Sequence, residues 1–439
     1  MLLSALVDYQ LALRLDKTED ARQRKYLLWI SLAVNLGILA IFKYLVFFRD
    51  SLWSIAEMIG YNPSYVDLNI ILPLGISFYI FQTMSYTIDV YRREKEAEND
   101  LLVYMCFVTF FPQLVAGPIL RASEIIPQLK TKLPLLSKDI AGGIERILGG
   151  LFMKVVLADS IANFVDKGFE RSPDTLTALD SWTLAFLFGF QIYFDFAGYS
   201  SIAIGSALLL GFSIRENFNY PYAATSPRNF WKRWHISLSS WIQEYLYLPM
   251  IGAYRSKSSS TPNRPLGEVE KAAIGKRRTW GLFLTWAIMG LWHGANWTFV
   301  LWGLYLAALV YAHRLLSPRI KLPRGPIGWC ASITITLPLM MASWIAFRAS
   351  SVGDTFAIWG NMINPAKFTS LSLSPDSYLL AAVLTIAFFC RYWWEHSRLA
   401  NWSESSRLGI PLQIGFYTVV IGMVFLFLQV KTQFIYFQF

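Results

Sequence analysis

Charged residues are scarce in this sequence of 439 residues. They make up 15% of the chain, while hydrophobic residues make up 55%. A soluble globular domain carries roughly a quarter of charged residues. Apolar runs of about 20 residues, the length that crosses a bilayer core, recur from residue 27 to the C-terminus. The composition therefore predicts an all-α polytopic membrane protein with roughly ten spanning segments, folded as a single domain over 1–439 without a second large soluble domain.

Cysteine is almost absent, with three residues, Cys106, Cys330 and Cys390, far apart in the chain. No CxxC pair and no spacing typical of zinc ligands occurs. The sequence also lacks a GxSxG elbow, a Walker loop and an HExxH motif. We therefore expect neither a disulfide framework nor a metal site, and the serine hydrolase, NTPase and zincin classes have no support.

The charge that is present is basic, with a formal net charge of +10. The Lys and Arg residues cluster in short segments between apolar runs, which is the positive-inside pattern of membrane proteins. We expect them to face the cytoplasm and the anionic headgroups of a lipid bilayer, and we exclude nucleic acid as a partner. The first residues, MLLSALVDYQ, have no basic region before their apolar residues, so no cleavable signal peptide is expected.

Seven apolar runs are predicted to cross the membrane. They cover about residues 27–48, 70–91, 140–165, 181–211, 327–347, 377–394 and 409–430. The run over 181–211 is too long for one straight span. An external loop is predicted over 166–180, and a basic, mobile cytoplasmic loop over 255–278.

Two other stretches do not fit a simple span. Residues 101–117 are short, are interrupted by Pro112 and Gly117, and have basic residues on both sides. Because both flanks favour the cytoplasm, we expect a re-entrant segment surrounded by protein or by a water-filled cavity. Residues 215–249 are both aromatic and basic, which predicts interfacial helices or a second re-entrant element.

The segment 280–312 is apolar and has basic residues at both ends. Its 33 residues are too many for one span and too few for two complete ones. His293 and Asn296 lie near its middle. We therefore expect two half-length helices that meet at a polar break within the membrane.

His293 is one of only four histidines in the chain. An ionisable residue within the membrane is costly and points to a functional site. A neutral imidazole, with an ordinary pKa of about 6.5, accepts a proton from a hydroxyl near physiological pH. His293 is therefore predicted to be a general base, with Asn296 as a candidate partner for its other ring nitrogen. The alternative is a structural histidine held by neighbouring helices.

A second histidine, His235, lies in the sequence PRNFWKRWHISLSSW. The surrounding cations and rings fit an interfacial belt, but they equally suit a mouth that binds a donor carrying phosphates. In the second interpretation, the substrate- or donor-binding residues are Arg228, Asn229, Lys232, Arg233 and Trp234, with Asn296 and Asp195 as further candidates. Asp195, in QIYFDFAGYS, is predicted to relay protons at the site or to pair with a core arginine, and the pairing is favoured.

Four longer blocks resemble a known family. They are FFPQLVAGPILRASEIIPQL, QIYFDFAGYSSIAIGSALLLGF, NFNYPYAATSPRNFWKRWHISLSSWIQEYLYLP and MGLWHGANWTFVLWG, within about residues 70–310. In this order they are similar to the membrane-bound O-acyltransferase superfamily, in its bacterial alginate O-acetyltransferase branch. The resemblance implies the family's fold, a ring of about ten tilted transmembrane helices with re-entrant and interfacial helices around a thin central core.

The resemblance also implies an activity. The histidines of the family's WHG and RWHIS blocks correspond to His293, the catalytic residue, and to His235. An acetyl group would pass from a cytoplasmic thioester donor, acetyl-CoA or an acyl carrier, to a polysaccharide outside the membrane, with no bound cofactor. The implied partners are a periplasmic or surface serine-hydrolase-like acetyltransferase and the polysaccharide biosynthesis machinery, and the implied location is the bacterial inner membrane.

Two alternatives stay open at this point. A D-alanyl or other acyl transferase of the same superfamily shares the two histidine blocks. A transporter of an acyl group or of a polysaccharide precursor would use the histidines for proton coupling. The sequence lacks the paired inverted halves that are common in transporters, which disfavours the second alternative.

Overall fold

Helices provide the regular structure of this protein. The computed structural model describes residues 2–61, 68, 70, 73, 75–113, 117–131, 134–253, 268–320, 322–323, 325–368, 370–397 and 409–428. Within these residues the chain forms α-helices with short π- and 3₁₀-helical segments, and no β-strand. The predicted all-α class is confirmed.

The first half of the chain holds seven α-helices among its described residues. They are α1 (Leu2–Lys17), α2 (Ala21–Met58), α3 (Ile76–Tyr91), α4 (Leu101–Val108), α5 (Ala122–Lys130), α6 (Ser137–Phe169) and α7 (Ala178–Leu209). π-Helical segments lie inside α2 at Ala40–Tyr44 and inside α6 at Phe152–Ala158. A 3₁₀ turn at Pro173–Thr175 precedes α7.

The second half begins with short helices and ends with long ones. They are α8 (Pro227–Trp231), α9 (Ile236–Trp241), α10 (Glu268–His293), α11 (Trp297–Leu316), α12 (Pro326–Arg348), α13 (Val352–Ile363), α14 (Pro375–Glu395) and α15 (Gly409–Phe427). α9 continues into a π-helical segment, Ile242–Tyr247, and a last turn, Leu248–Met250. Further 3₁₀ turns lie at Pro221–Ala223 and Pro365–Lys367.

Six helices in the described part of the chain are long and apolar enough to cross a membrane, namely α2, α6, α7, α11, α12 and α14. The chain is therefore a multi-pass membrane protein. α12 and α14 closely match the predicted spans 327–347 and 377–394, because each has proline at its first helical position and is apolar beyond it. α2 and α6 extend past the predicted 27–48 and 140–165. Before the apolar run of α2, the added residues include Arg, Gln and Lys, which are good helix formers.

The span predicted over 70–91 is shorter in the structure. α3 begins at Ile76, after Pro73 and after Gly75, which has a left-handed φ of 69°. Its 16 residues measure about 24 Å, less than the ~30 Å of a bilayer core. The prediction of a full-length helix is wrong here, because proline and a left-handed glycine stop the helix.

The structure agrees with one predicted non-spanning region, 101–117, and contradicts part of another, 255–278. In 101–117 the only helix in the described residues is α4, whose eight residues measure about 12 Å and cannot cross a bilayer, as predicted. The predicted loop 255–278 is wrong over 268–278, which belongs to α10, because Ala, Lys and Arg favour a helix. The rest of that loop, 255–267, lies outside the described residues.

Two helices of the structure, α1 and α13, were not predicted from the sequence.

The apolar segment 280–312 folds as a helical hairpin. α10 ends at His293 and α11 starts at Trp297, so the predicted break is confirmed. The prediction of half-length helices is wrong for α11, whose 20 residues measure about 30 Å. The two helices pack so closely that a Cβ atom on Gly290 would lie 2.1 Å from the Phe299 carbonyl oxygen, and one on Gly303 2.1 Å from the Trp286 carbonyl oxygen.

α7 is largely buried and continues unbroken for 32 residues, about 48 Å. It packs against α6 through glycines. A Cβ atom on Gly150 of α6 would lie 2.6 Å from the Gly198 carbonyl oxygen, and a Cβ atom on Gly205 of α7 would lie 2.6 Å from the Gly143 carbonyl oxygen. Small residues thus bring the two backbones into direct contact, which is a common mode of helix association in membranes.

Two neighbouring glycines of α6 provide a test of this packing. Gly150→Ala should lower the melting temperature in detergent by several degrees, because the added methyl group meets backbone atoms of α7. Gly149→Ala is the matched control, since nothing lies within 4 Å of its added Cβ atom and alanine favours a helix over glycine. Melting followed by size-exclusion chromatography compares the two variants. Equal melting temperatures would contradict the close contact.

Candidate active site

His293 is the last residue of α10 and lies inside a box of aromatic rings. Only 5% of the residue is exposed. Its imidazole packs edge-on against Trp292 and Trp302, each with ring centroids 5.0 Å away, and against Phe347 at 5.4 Å. Trp302 comes from α11 and Phe347 from α12, so three helices shape the surroundings of this ring.

His235 lies immediately before α9 and is fully buried. Its φ of 43° is left-handed, a conformation that costs about 1–3 kcal/mol in a residue other than glycine and that the surroundings must hold. Asn217 holds it, because the Asn217 carbonyl oxygen accepts the backbone N–H of Ile236 at 2.9 Å. The Asn217 side chain adds contacts to the His235 ring and to Ser237, so the turn is fixed on both sides.

These contacts also determine the tautomer of His235. The backbone N–H of Ser237 donates to Asn217 Oδ1 at 3.2 Å, which identifies that atom as the acceptor oxygen of the amide. His235 Nδ1 lies 3.2 Å from the same oxygen and must therefore carry the hydrogen of this contact. In the neutral ring, Nε2 then carries the lone pair that accepts a proton.

The two histidines share one aromatic neighbour. The ring of Trp292 lies 5.0 Å from that of His293 and 6.4 Å from that of His235. Phe78 of α3 packs at 5.6 Å from Trp292 and at 6.5 Å from His235. Residues separated by 58 positions in the sequence therefore lie in one aromatic cluster.

The predicted donor-binding residues fall into two groups. Arg228 and Lys232 are exposed, so their charges are available to an anion. Asn229 Oδ1 accepts the Nε–H of Arg233 at 3.2 Å, and the guanidinium of Arg233 also donates to a backbone carbonyl at 3.2 Å. Trp234 is buried and packs against other rings, with Trp344 at 4.9 Å. Asn229, Arg233 and Trp234 thus make contacts within the protein that stabilise the segment before His235.

Asp195 and Asn296 have structural contacts. Asp195 is 2% exposed and lies 2.6 Å from the ammonium of Lys154, which also pairs with Asp159 at 2.7 Å. The favoured pairing of Asp195 is therefore present, with lysine in place of the expected arginine. Asn296 is exposed and begins α11, where its Oδ1 accepts the backbone N–H of Thr298 at 3.0 Å.

Sequence reasoning missed two residues of this site, Lys43 and Tyr44. Both lie in the π-helical segment of α2. The Lys43 ammonium donates to the carbonyl oxygen of Trp292 at 2.5 Å and of His293 at 3.3 Å, and the Tyr44 hydroxyl donates to that of Leu291 at 3.1 Å. The available signal was a lysine within the apolar run 27–48, since a charge inside a membrane span is costly.

A cavity of about 140 Å³ lies beside the aromatic cluster, between the α9 region and α10. Its lining is mostly apolar, with a few polar groups, and consists of Trp231, Ser239, Ile242, Gln243, Tyr247, Leu282, Thr285, Trp286 and Met289. Met289 lies one turn before His293 on α10. Trp231 lies 6.0 Å from Trp302, which packs on His293. Two packed rings, Trp231 and Trp302, thus connect the wall of the cavity to His293.

Known proteins resemble this chain over most of its length. A model of the membrane-bound O-acyltransferase family matches residues 91–263. A probable alginate O-acetylase of Azotobacter vinelandii is 36% identical, over 87% of this chain and 73% of that protein. A peptidoglycan O-acetyltransferase of Helicobacter pylori is 30% identical, over 99% and 86%. A teichoic acid D-alanyltransferase of Bacillus subtilis is 27% identical, over 58% and 62%.

The similarity to the two O-acetyl transferases is not confined to the histidine blocks. It extends over at least 87% of this chain and at least 73% of each relative. The predicted enzyme class, an O-acyltransferase, and the predicted relation to alginate O-acetylases are confirmed. This multi-pass membrane chain belongs to the membrane-bound O-acyltransferase family.

Proposed function

We propose that this membrane O-acyltransferase takes an acetyl group from a cytoplasmic thioester donor and transfers it across the membrane for the O-acetylation of a polysaccharide. The observation that carries the proposal is the pair of buried histidines around Trp292, at a helical break inside the protein. The relatives matched over most of the chain are named for O-acetyl transfer to alginate or peptidoglycan. D-alanyl transfer is the alternative, supported by a relative matched over 58% of the chain.

His293 acts as the general base in this proposal. The oxygen of the acceptor hydroxyl forms a bond to the thioester carbonyl carbon, and the carbon–sulfur bond breaks. The hydroxyl proton moves to His293 and from there to the departing thiolate sulfur, so the residue ends the cycle unchanged. The aromatic box excludes water from the ring, which favours acyl transfer over hydrolysis.

His235 acts as the second proton-transfer group. Its Nδ1–H is engaged by Asn217, which orients the ring and leaves the lone pair on Nε2. A ring held in this way either accepts a hydrogen bond from the acceptor hydroxyl or carries a proton to the leaving group. The left-handed backbone of His235 supports this role, since strained conformations are frequent at active sites.

The donor enters on the side of the cavity next to α10. Acetyl-CoA and an acylated carrier both end in a thin thioester arm and both carry phosphate. The mostly apolar cavity beside α10 is where the end of such an arm would lie, and the donor is used as a substrate and not as a bound cofactor. Arg228 and Lys232, which are exposed, are the residues available for its phosphates.

The acceptor is reached from the opposite side of the membrane. We assign the protein to the bacterial inner membrane, because the polysaccharides named for its relatives lie outside that membrane. A periplasmic or surface serine-hydrolase-like acetyltransferase completes the transfer, together with the machinery that makes the polysaccharide. Among acceptors, the names of the relatives favour alginate or a glycan of similar chemistry.

Replacement of His293 tests the catalytic assignment. We expect His293→Ala to lower acetyl transfer by at least about 100-fold, the typical contribution of a general base, with normal membrane insertion. His313→Ala, a histidine of α11 outside the cluster, is the control and should keep full activity. The measurement is base-released acetate in the polysaccharide of cells that produce equal amounts of each variant. Wild-type acetylation by His293→Ala would refute the assignment.

The proposed binding of donor phosphates by Arg228 and Lys232 has a separate test. Replacing both Arg228 and Lys232 with Gln should raise the KM for acetyl-CoA roughly tenfold and leave kcat unchanged, because two charge-assisted hydrogen bonds to phosphate are lost. Initial rates in proteoliposomes measure both constants. Lys138→Gln, which removes an exposed charge on α6, is the control for net charge. An unchanged KM would exclude these two residues from donor binding.

A further inference from the structure

The end of α10 poses a problem of hydrogen bonding. The last four carbonyl groups of an α-helix have no partner within the helix. α10 ends at His293, and the chain resumes a helix at Trp297. An unsatisfied carbonyl group away from water costs several kcal/mol in an apolar medium. The carbonyl groups next to the candidate base therefore need donors from elsewhere in the protein.

Two adjacent side chains of α2 supply these donors. The Tyr44 hydroxyl bonds to the carbonyl oxygen of Leu291, and the Lys43 ammonium bonds to those of Trp292 and His293. Three consecutive carbonyl groups at the helix end are satisfied in this way. The ammonium also lies 5.8 Å from the centre of the Trp292 ring, where the face of an indole attracts a cation.

The charge of Lys43 matches its position. The carbonyl end of a helix carries a partial negative charge, which a cation stabilises. A lysine that served only to reach the membrane surface would extend its ammonium to the headgroups. Lys43 instead directs its ammonium to the backbone beside His293, from a π-helical segment of α2 at Ala40–Tyr44. π-Helical segments are frequent at functional sites, because they displace side chains from the regular helix pattern.

We propose that Lys43, assisted by Tyr44, is a positioning residue for acyl transfer that holds the terminal turn of α10 and with it the ring of His293. This inference rests on the proposed role of His293 as the base. Without the ammonium, the last turn of α10 frays into the break at 294–296 and the imidazole leaves its place in the aromatic box. A displacement of about 1 Å at a reacting group lowers the rate by about 100-fold.

The test compares Lys43→Met, Lys43→Arg and Tyr44→Phe in membrane vesicles from the producing cells, which retain the partner acetyltransferase, with acetyl-CoA and alginate oligosaccharides. Lys43→Met should lower kcat by about 100-fold with an unchanged KM for acetyl-CoA, because donor binding does not involve the helix end. Lys43→Arg should recover most of this loss, since a guanidinium also donates to carbonyl groups. Tyr44→Phe, which loses one hydroxyl group, should lower kcat less than Lys43→Met. Lys25→Met, an exposed lysine of α2, is the control.

The outcomes separate this inference from the proposed function. Wild-type kcat in Lys43→Met, or equal losses in Lys43→Met and Lys43→Arg at unchanged melting temperature, would overturn the positioning role. If Lys43→Met does not fold, Tyr44→Phe decides, and an unchanged kcat in that variant overturns the proposal. Activity in His293→Ala would refute the proposed function itself. An inactive His293→Ala beside a fully active Lys43→Met would refute only the inference.

Discussion

The carbonyl groups at helix ends away from water must be hydrogen-bonded, and α2 meets this requirement at two places. Lys43 and Tyr44 satisfy the end of α10. Near the start of the same helix, the guanidinium of Arg24 donates to the carbonyl oxygens of Val90 and Tyr91 at the end of α3, at 3.0 and 2.8 Å. It also bonds to the carbonyl oxygens of Leu15 and Thr18 at the end of α1. One helix thus secures the ends of three others.

This arrangement requires that α2 itself is held firmly. Asp8 of α1 accepts the Ser31 hydroxyl at 2.6 Å and the Asn35 amide at 2.8 Å, so α1 and α2 are joined in their buried middle as well as at the end of α1. A buried carboxylate is retained only where hydrogen bonds compensate its desolvation. The N-terminal helices, which contribute neither histidine, therefore fix the frame in which His293 is positioned.

The sequence predicted the features that are local. α12 and α14 were placed correctly because a predominantly apolar run of about 20 residues is sufficient to define a spanning helix. The break after His293 was predicted from glycine and polar residues within an apolar segment. α1 and α13 were missed because their apolar residues are interspersed with polar ones. α10 is longer than predicted because the basic segment before its apolar run is itself helical.

The features that define the candidate site depend on distant contacts. No local pattern places His235 beside Trp292, since the two meet only when the turn before α9 packs against the end of α10. The same is true of Lys43, whose contacts to Trp292 and His293 join residues about 250 positions apart in the chain. Residue chemistry singled out His235 and His293 as candidates, and tertiary packing decides what surrounds them.

The close approach of α10 and α11 also prevents molecules from passing between these two helices. At Gly290 and Gly303 the two backbones touch, so neither a lipid tail nor a thioester arm can pass between these helices. The hairpin therefore has no passage between its helices at these two positions, and His293 lies near its tip. The cavity is lined by α10 and by the region around α9, so it lies on a face of α10 other than the one that touches α11.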